Sequence, residues 1–211
     1  MKKYLKEFCS AILAGVAISI GGIVFLSVDN KITGSLLFAL GLLTILAFKL
    51  NLFTGKAPYI CQNEIKYCGF VGVVWLGNLV GTGISALLIR YTRMYSSIIE
   101  RATTLAEVKS TDSLISLFIL GIFCGILMYI AVDTFNKQGQ EKNFSATITT
   151  VLCVSVFILS GFEHSVADMF YFMLVLPAEN WIIPLIVITF GNIIGGNMFC
   201  LLTNKIKETL Y

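Results

Sequence analysis

A single histidine, His164, stands in the segment Ser160-Gly161-Phe162-Glu163-His164-Ser165-Val166-Ala167-Asp168-Met169-Phe170. Glu163 and Asp168 flank it, so three ionisable side chains interrupt a chain that is otherwise nearly all hydrocarbon. Such a break is costly at bilayer depth, where unpaired backbone and charged groups find no water, and that cost points to function. An imidazole titrates near pH ~6.5 and can hold or donate a proton in a cell. Burial drives it towards the neutral form. A buried carboxylate such as Glu163 needs a partner or backbone N–H donors. A half-helix starting just after it supplies such donors, which favours a supporting role for Glu163. A second interruption, Leu50-Asn51-Leu52-Phe53-Thr54-Gly55-Lys56, carries the hydroxyl of Thr54. That hydroxyl can cap a half-helix, face whatever meets His164, or do both. Phe38, Leu42, Leu52, Phe53 and Phe157 read as apolar filling or as dry constrictions beside the breaks. Lys109 reads as a solvated loop lysine, or as a basic residue at a pore mouth that concentrates anions.

The elements that must position these residues are membrane helices. The chain is 57% hydrophobic and only 13% charged, about half the charge of a soluble domain. Charge-free windows at Cys9–Val28, Ile32–Phe48, Tyr67–Ile89, Ser113–Val132, Asn143–Phe162 and Asn180–Asn204 predict six spans. The second and fifth are followed by further apolar pieces, through Ile60 and over Met169–Ala178, so each reads as a half-helix, a loop and another half-helix. The first run is too long for a signal-peptide core and is read as a retained helix. One compact domain over 1–211 suffices. No basic block suits nucleic acid. The six cysteines are scattered without CxxC spacing, and no metal site or cofactor is expected.

Gly77-Asn78-Leu79-Val80-Gly81 recurs 114 positions later as Gly191-Asn192-Ile193-Ile194-Gly195, and the two breaks are separated by a similar interval. Two halves, about 1–105 and 110–211, follow, with Asn78 and Asn192 as structural supports. Three spans per half force the halves to be inverted, the pattern that places a permeation site near the midplane. Small residues at four-residue spacing, including Gly121/Gly125, predict close helix packing in lipid. Nine basic residues against five place both termini in the cytoplasm, with Lys49 unassigned and with the 91–112 connection holding most of the outer charges.

At these residues the chain resembles the formate/nitrite transporter family of anion channels. The resemblance rests on Lys6 to Ile20, Leu52-Phe53-Thr54-Gly55, the two Gly-Asn segments and Gly161-Phe162-Glu163-His164-Ser165-Val166-Ala167, and it covers essentially the whole chain. It implies an aquaporin-like fold, a pore in each subunit, a homopentamer in the inner (plasma) membrane, and passage of formate, nitrite or hydrosulfide. It places the central histidine at His164, the loop threonine at Thr54, the constrictions at Phe38, Leu42, Leu52, Phe53 and Phe157, and a vestibule lysine at Lys109. The chain departs from the family pattern at Gly125 and Asp168, where Asn is frequent, at Asn51, where an acid is frequent, and at Lys56, where Asn is common. Its N-terminus is short and lacks the inner-vestibule lysine of many members.

A proton-coupled symporter on the same fold is the alternative. An intramembrane serine protease would need an activated serine. The chain has no GxSG segment, and Ser165 adjoins His164 too closely in sequence to form a dyad with it, so an enzyme is not expected.

Overall fold

A computed structural model describes residues 2–137, 144–176 and 180–210. The described residues form helices without a strand: α1 (Lys2–Ser27), α2 (Lys31–Ala47), the single turn α3 (Phe53–Lys56) continued by the 3-10 segment Ala57–Gln62, α4 (Lys66–Ile89), α5 (Tyr95–Thr111), α6 (Leu114–Lys137), α7 (Phe144–Leu159), α8 (Ser165–Val175) and α9 (Ile182–Leu210). Four stretches, Tyr4–Ser27, Lys66–Ile89, Leu114–Lys137 and Ile182–Thr209, are long and apolar enough to cross a membrane. Three shorter apolar helices, α2, α7 and α8, accompany them.

Close packing follows from the small residues. Gly77 lies against Phe8 and Ala11, and Gly81 against Ile12, so α1 and α4 run side by side in the same direction. Gly191 lies against Phe118 and Gly121, and Gly195 against Ile122, so α6 and α9 do likewise. A side chain at any of these positions would hold the backbones apart and forfeit the dispersion contacts that bind helices in lipid.

Both interruptions begin with the same helix ending. After α2, Leu50 N–H donates to Ile45 O (2.9 Å) and Lys49 N–H to Leu46 O (3.3 Å). After α7, Phe162 N–H donates to Phe157 O (2.9 Å) and Gly161 N–H to Ile158 O (3.3 Å). These are Schellman endings, which require a left-handed residue just past the helix. Gly161 fills that position at φ 69° and Lys49 fills it at φ 53°. The left-handed turn is why α7 stops at Leu159 rather than at Phe162.

Three expectations need correction. The 91–112 connection is largely helical: α5 packs against α8 and buries Ile98, Ala102, Ala106 and Lys109. Its apolar residues at three- and four-residue spacing explain the helix, while its charges hid it from a search for charge-free windows. The piece after the first break is one α-turn and a 3-10 segment, because Pro58 has no N–H to give to an α-helical ladder. The second half-helix starts at Ser165, earlier than Met169, because His164 caps it. Lys142, Asn143 and Ala178, which entered the span and charge assignments, lie outside the described residues.

Two arginines close helix ends. Arg90 donates to the carbonyls of Met173, Leu174 and Leu176 at the end of α8. Arg101 donates to Leu26 O (2.9 Å) and Val28 O (2.7 Å) at the end of α1. A guanidinium there satisfies orphan carbonyls and complements the helix dipole.

The glycine contacts carry a prediction. A Cβ at Gly195 would run into the carbonyl oxygen of Ile122, whereas one at Gly72 would meet nothing within 4 Å. Gly195→Ala should cost about 1–3 kcal/mol and lower the unfolding temperature of the detergent-solubilised protein, while Gly72→Ala should leave it unchanged.

Candidate functional site

Each interruption is closed by one asparagine. Asn78 Oδ1 accepts from Phe53 N–H (2.8 Å), and its amide donates to Asn51 O (3.0 Å) and Ala11 O (2.8 Å). Asn192 Oδ1 accepts from Ser165 N–H (2.9 Å), and its amide donates to Glu163 O (2.8 Å) and Gly121 O (2.8 Å). Each therefore ties both sides of a break to the first helix of the same half. Both are buried. The backbone groups that a break exposes need such partners where water is scarce. The 3-10 segment has a further clamp that the sequence reading missed. Asn197 accepts from Cys61 N–H (2.9 Å) and donates to Ala57 O (2.7 Å).

Leu52 and His164 are the residues spanned by the two clamps. His164 takes the N-cap position of α8, and its Nδ1 accepts from Ala167 N–H (3.0 Å). That bond puts the lone pair on Nδ1 and the ring proton on Nε2. Nε2 lies 2.8 Å from Thr54 Oγ1, 110 residues away in sequence, and donates to it. The hydroxyl proton of Thr54 then has no other acceptor among the described residues. A second proton on the ring, at Nδ1, would displace the Ala167 N–H and uncap α8. The arrangement therefore holds the imidazole neutral as a donor. Thr54 caps nothing: Leu52 is the N-cap residue of α3 and makes no side-chain cap bond.

The pair is enclosed by apolar side chains. His164 stacks on Phe157 (5.3 Å between centroids, 16° between planes), and Phe157 meets the edge of Phe38 at 6.0 Å. Leu42, one turn beyond Phe38 on α2, and Leu52 line a cavity at the end of the molecule where α1 begins. That end is fixed by Asn51, which bonds Ser10 and Glu7. Phe53 departs from this set and lines an apolar groove with Trp75 and Phe190, between α4 and α9.

Lys109 lies elsewhere than expected for a solvated lysine. It is 8% exposed. Its ammonium bonds Glu163 Oε2 and lies 3.1 Å from Asp168 Oδ1. Two carboxylates thus share one cation, and Asp168 Oδ2 is buried without a hydrogen-bond partner among the described residues. Gly125, read as the position where the family often carries Asn, has no room for a side chain, because a Cβ there would run into the Asn192 carbonyl. The buried side chain of that turn is Cys124.

The family model described as formate/nitrite transporter matches residues 1–206. The chain belongs to this family of membrane transporters and channels. It is 28% identical to formate channel FocA of Escherichia coli (strain K12), with 96% of this chain and 86% of that protein covered. It is 26% identical to nitrite transporter NirC of the same strain, with 90% and 79% covered. Among solved structures it matches a pentameric formate channel with formate bound (TM-score 0.79, 22% identity, 99% and 98% covered). It also matches an FNT family ion channel (TM-score 0.82, 23% identity, 96% and 90% covered). The fold is that of these channels, and the protein is a multi-pass membrane protein.

The buried ion cluster makes a stability prediction. Lys109→Met leaves two buried carboxylates without their cation and should cost about 3–5 kcal/mol, read as a lower unfolding temperature. Adding Glu163→Gln and Asp168→Asn to Lys109→Met should restore most of that loss.

Proposed function

We propose that the protein is a channel passing small monovalent weak-acid anions, such as formate, nitrite or hydrosulfide, through a pore in each subunit. The observation that carries this reading is the hydrogen bond between Thr54 and His164 (2.8 Å). It joins the two interruptions at a buried point, with aromatic residues on one side and leucines on the other, in a chain of a transport family. The protein named as a pentameric formate channel supports a homopentamer. The halves about 1–105 and 110–211 are proposed as inverted three-helix repeats of one channel domain. The matched endings at Lys49 and Gly161 and the matched clamps at Asn78 and Asn192 support this. The excess of lysines near the termini supports a plasma-membrane orientation with both termini in the cytoplasm.

A bare anion at bilayer depth costs several kcal/mol or more. Three features lower that cost here. His164 orients Thr54 so that its O–H is free to donate to the anion. The N-terminal turn of α8 carries positive dipole density into the interior. A proton joins the anion near His164, so that a neutral acid passes the constrictions formed by Phe38, Phe157, Leu42 and Leu52, with Phe53 set aside in the groove between α4 and α9. Because Nδ1 is occupied by the Ala167 N–H, this proton is not stored as an imidazolium; it comes with the anion from solution.

Proteoliposome flux of the three anions between pH 5 and 8 tests the reading. Wild-type flux should rise as pH falls, because the protonated acid becomes more abundant. Thr54→Val removes the donor at nearly constant shape and should lower flux about 10- to 100-fold, the worth of a charge-assisted hydrogen bond. His164→Ala removes the group that orients Thr54 and should lower flux while leaving its rise in acid. A flat profile for wild type and mutant alike would refute the protonation step. A reversal potential that tracks the proton gradient with fixed stoichiometry would favour the symporter alternative.

A further inference from the structure

A cavity of about 370 Å³ lies between the starts of α1 and α4, away from both interruptions' closed ends. Its α1 wall carries Glu7, whose Oε2 is closed off from water and has no hydrogen-bond partner among the described residues. A carboxylate sealed on one oxygen can be compensated only from the side that faces the cavity. The opposite wall offers Asn63, whose Nδ2 donates to Tyr59 O (2.8 Å) and whose Oδ1 remains as a second acceptor. Glu64 and Lys66 stand at the exposed rim and pair with each other at 2.6 Å, so this lysine is already engaged. Three aromatic rings, Tyr4, Tyr67 and Phe70, complete the lining. Tyr67 and Phe70 lie 5.3 Å apart between centroids, and Tyr67 O–H is held by Lys56 O (3.1 Å), which fixes that wall.

The chemistry of this lining selects its ligand. It holds acceptors and aromatic faces but no free donor, so what binds must donate. A primary ammonium brings a positive charge and three N–H groups, enough for Glu7 and Asn63 together. The ring faces add cation–π attraction. A bare divalent cation would need several oxygen ligands around it, and the described residues contain no group of three His, Cys, Asp or Glu side chains that could hold one. The depth selects the source. The membrane-crossing stretches Tyr4–Ser27 and Lys66–Ile89 both begin here, so the cavity lies at the level of lipid headgroups, where tyrosines collect. Leu5 and Ile65, next in sequence to lining residues, are 63% and 86% exposed and suit contact with lipid rather than water.

We propose that this cavity binds the primary ammonium headgroup of an aminophospholipid, such as phosphatidylethanolamine, with Glu7 as the charged acceptor and Tyr4, Tyr67 and Phe70 as its aromatic walls. The headgroup neutralises a carboxylate that the protein alone leaves unpaired. It also bears on the first interruption. Glu7 O accepts from Asn51 Nδ2 (3.4 Å), and Ser10 Oγ accepts from Asn51 N–H (3.1 Å), so the turn of α1 that holds the lipid also holds the chain entering that break. A lipid seated on Glu7 thus braces α1 against α4 at the membrane surface.

The test is the unfolding temperature of the purified, detergent-solubilised protein titrated with short-chain phosphatidylethanolamine, phosphatidylcholine or phosphatidylglycerol of equal chain length, or with free ethanolamine. Wild type, Glu7→Gln and Phe70→Leu are compared, with the exposed Glu208→Gln as control. Phosphatidylethanolamine at saturation should raise the wild-type unfolding temperature by about 5 °C. Phosphatidylcholine, whose quaternary ammonium has no N–H to donate, and phosphatidylglycerol, which has no cation, should raise it far less. Glu7→Gln should unfold no lower than wild type without lipid, because it removes an unpaired carboxylate, yet it should lose the response to phosphatidylethanolamine. Phe70→Leu should weaken that response, and Glu208→Gln should keep it. An equal shift with all three lipids, or a full phosphatidylethanolamine shift in Glu7→Gln, overturns the site. The same shift from free ethanolamine at the concentration of the lipid overturns a lipid as the source of the ammonium.

Discussion

The structure depends on two carboxamides. A helix interrupted at bilayer depth exposes N–H and C=O groups that lipid cannot satisfy. Asn78 and Asn192 each supply one acceptor and one donor bond to the flanks of a break, and each reaches back with a second donor bond to the first helix of its own half. An amide is suited to this task because one planar group offers both donor and acceptor without a charge to desolvate. Once both breaks are closed in this way, the two residues left spanned, Leu52 and His164, and the neighbouring Thr54 have little freedom to move. The short bond between the imidazole and the hydroxyl follows from that rigidity.

Close packing makes the clamps possible. Asn192 reaches Gly121 O only because Gly125 and Gly195 let α6 and α9 touch backbone to backbone. In the other half Gly15, Gly77 and Gly81 do the same for α1 and α4. The small residues that lower lateral bulk in lipid are thus also what brings a side-chain amide within reach of a neighbouring helix. Packing and polar satisfaction are a single constraint here.

Charge is distributed unequally around this frame. Beside His164, Lys109 is enclosed with Glu163 and Asp168, so its charge is spent within the protein and its value lies in holding α5, α8 and the second break together. At the end where α1 begins, Lys49 and Lys56 line a cavity with no carboxylate among its described lining residues. A buried cation with two anionic partners is a structural element.

The sequence alone determined the membrane class, the two interruptions, the repeated Gly-Asn segments and the residues His164 and Thr54. These are legible because hydrophobic length, glycine spacing and rare polar residues in apolar runs are local signals. It did not determine what those polar residues bond. Whether Thr54 capped a helix or met His164 depended on two chain segments more than a hundred residues apart. The 91–112 segment looked like a solvated connection because its charges masked an amphipathic face; only its packing on α8 showed Lys109 to be buried. The proton on Nε2 and the neutrality of His164 likewise came from the Ala167 N–H bond. Composition and spacing fix which groups are present at a given depth, but the partner of each polar group is chosen by three-dimensional proximity, and in a low-dielectric interior that partner sets the charge and the role.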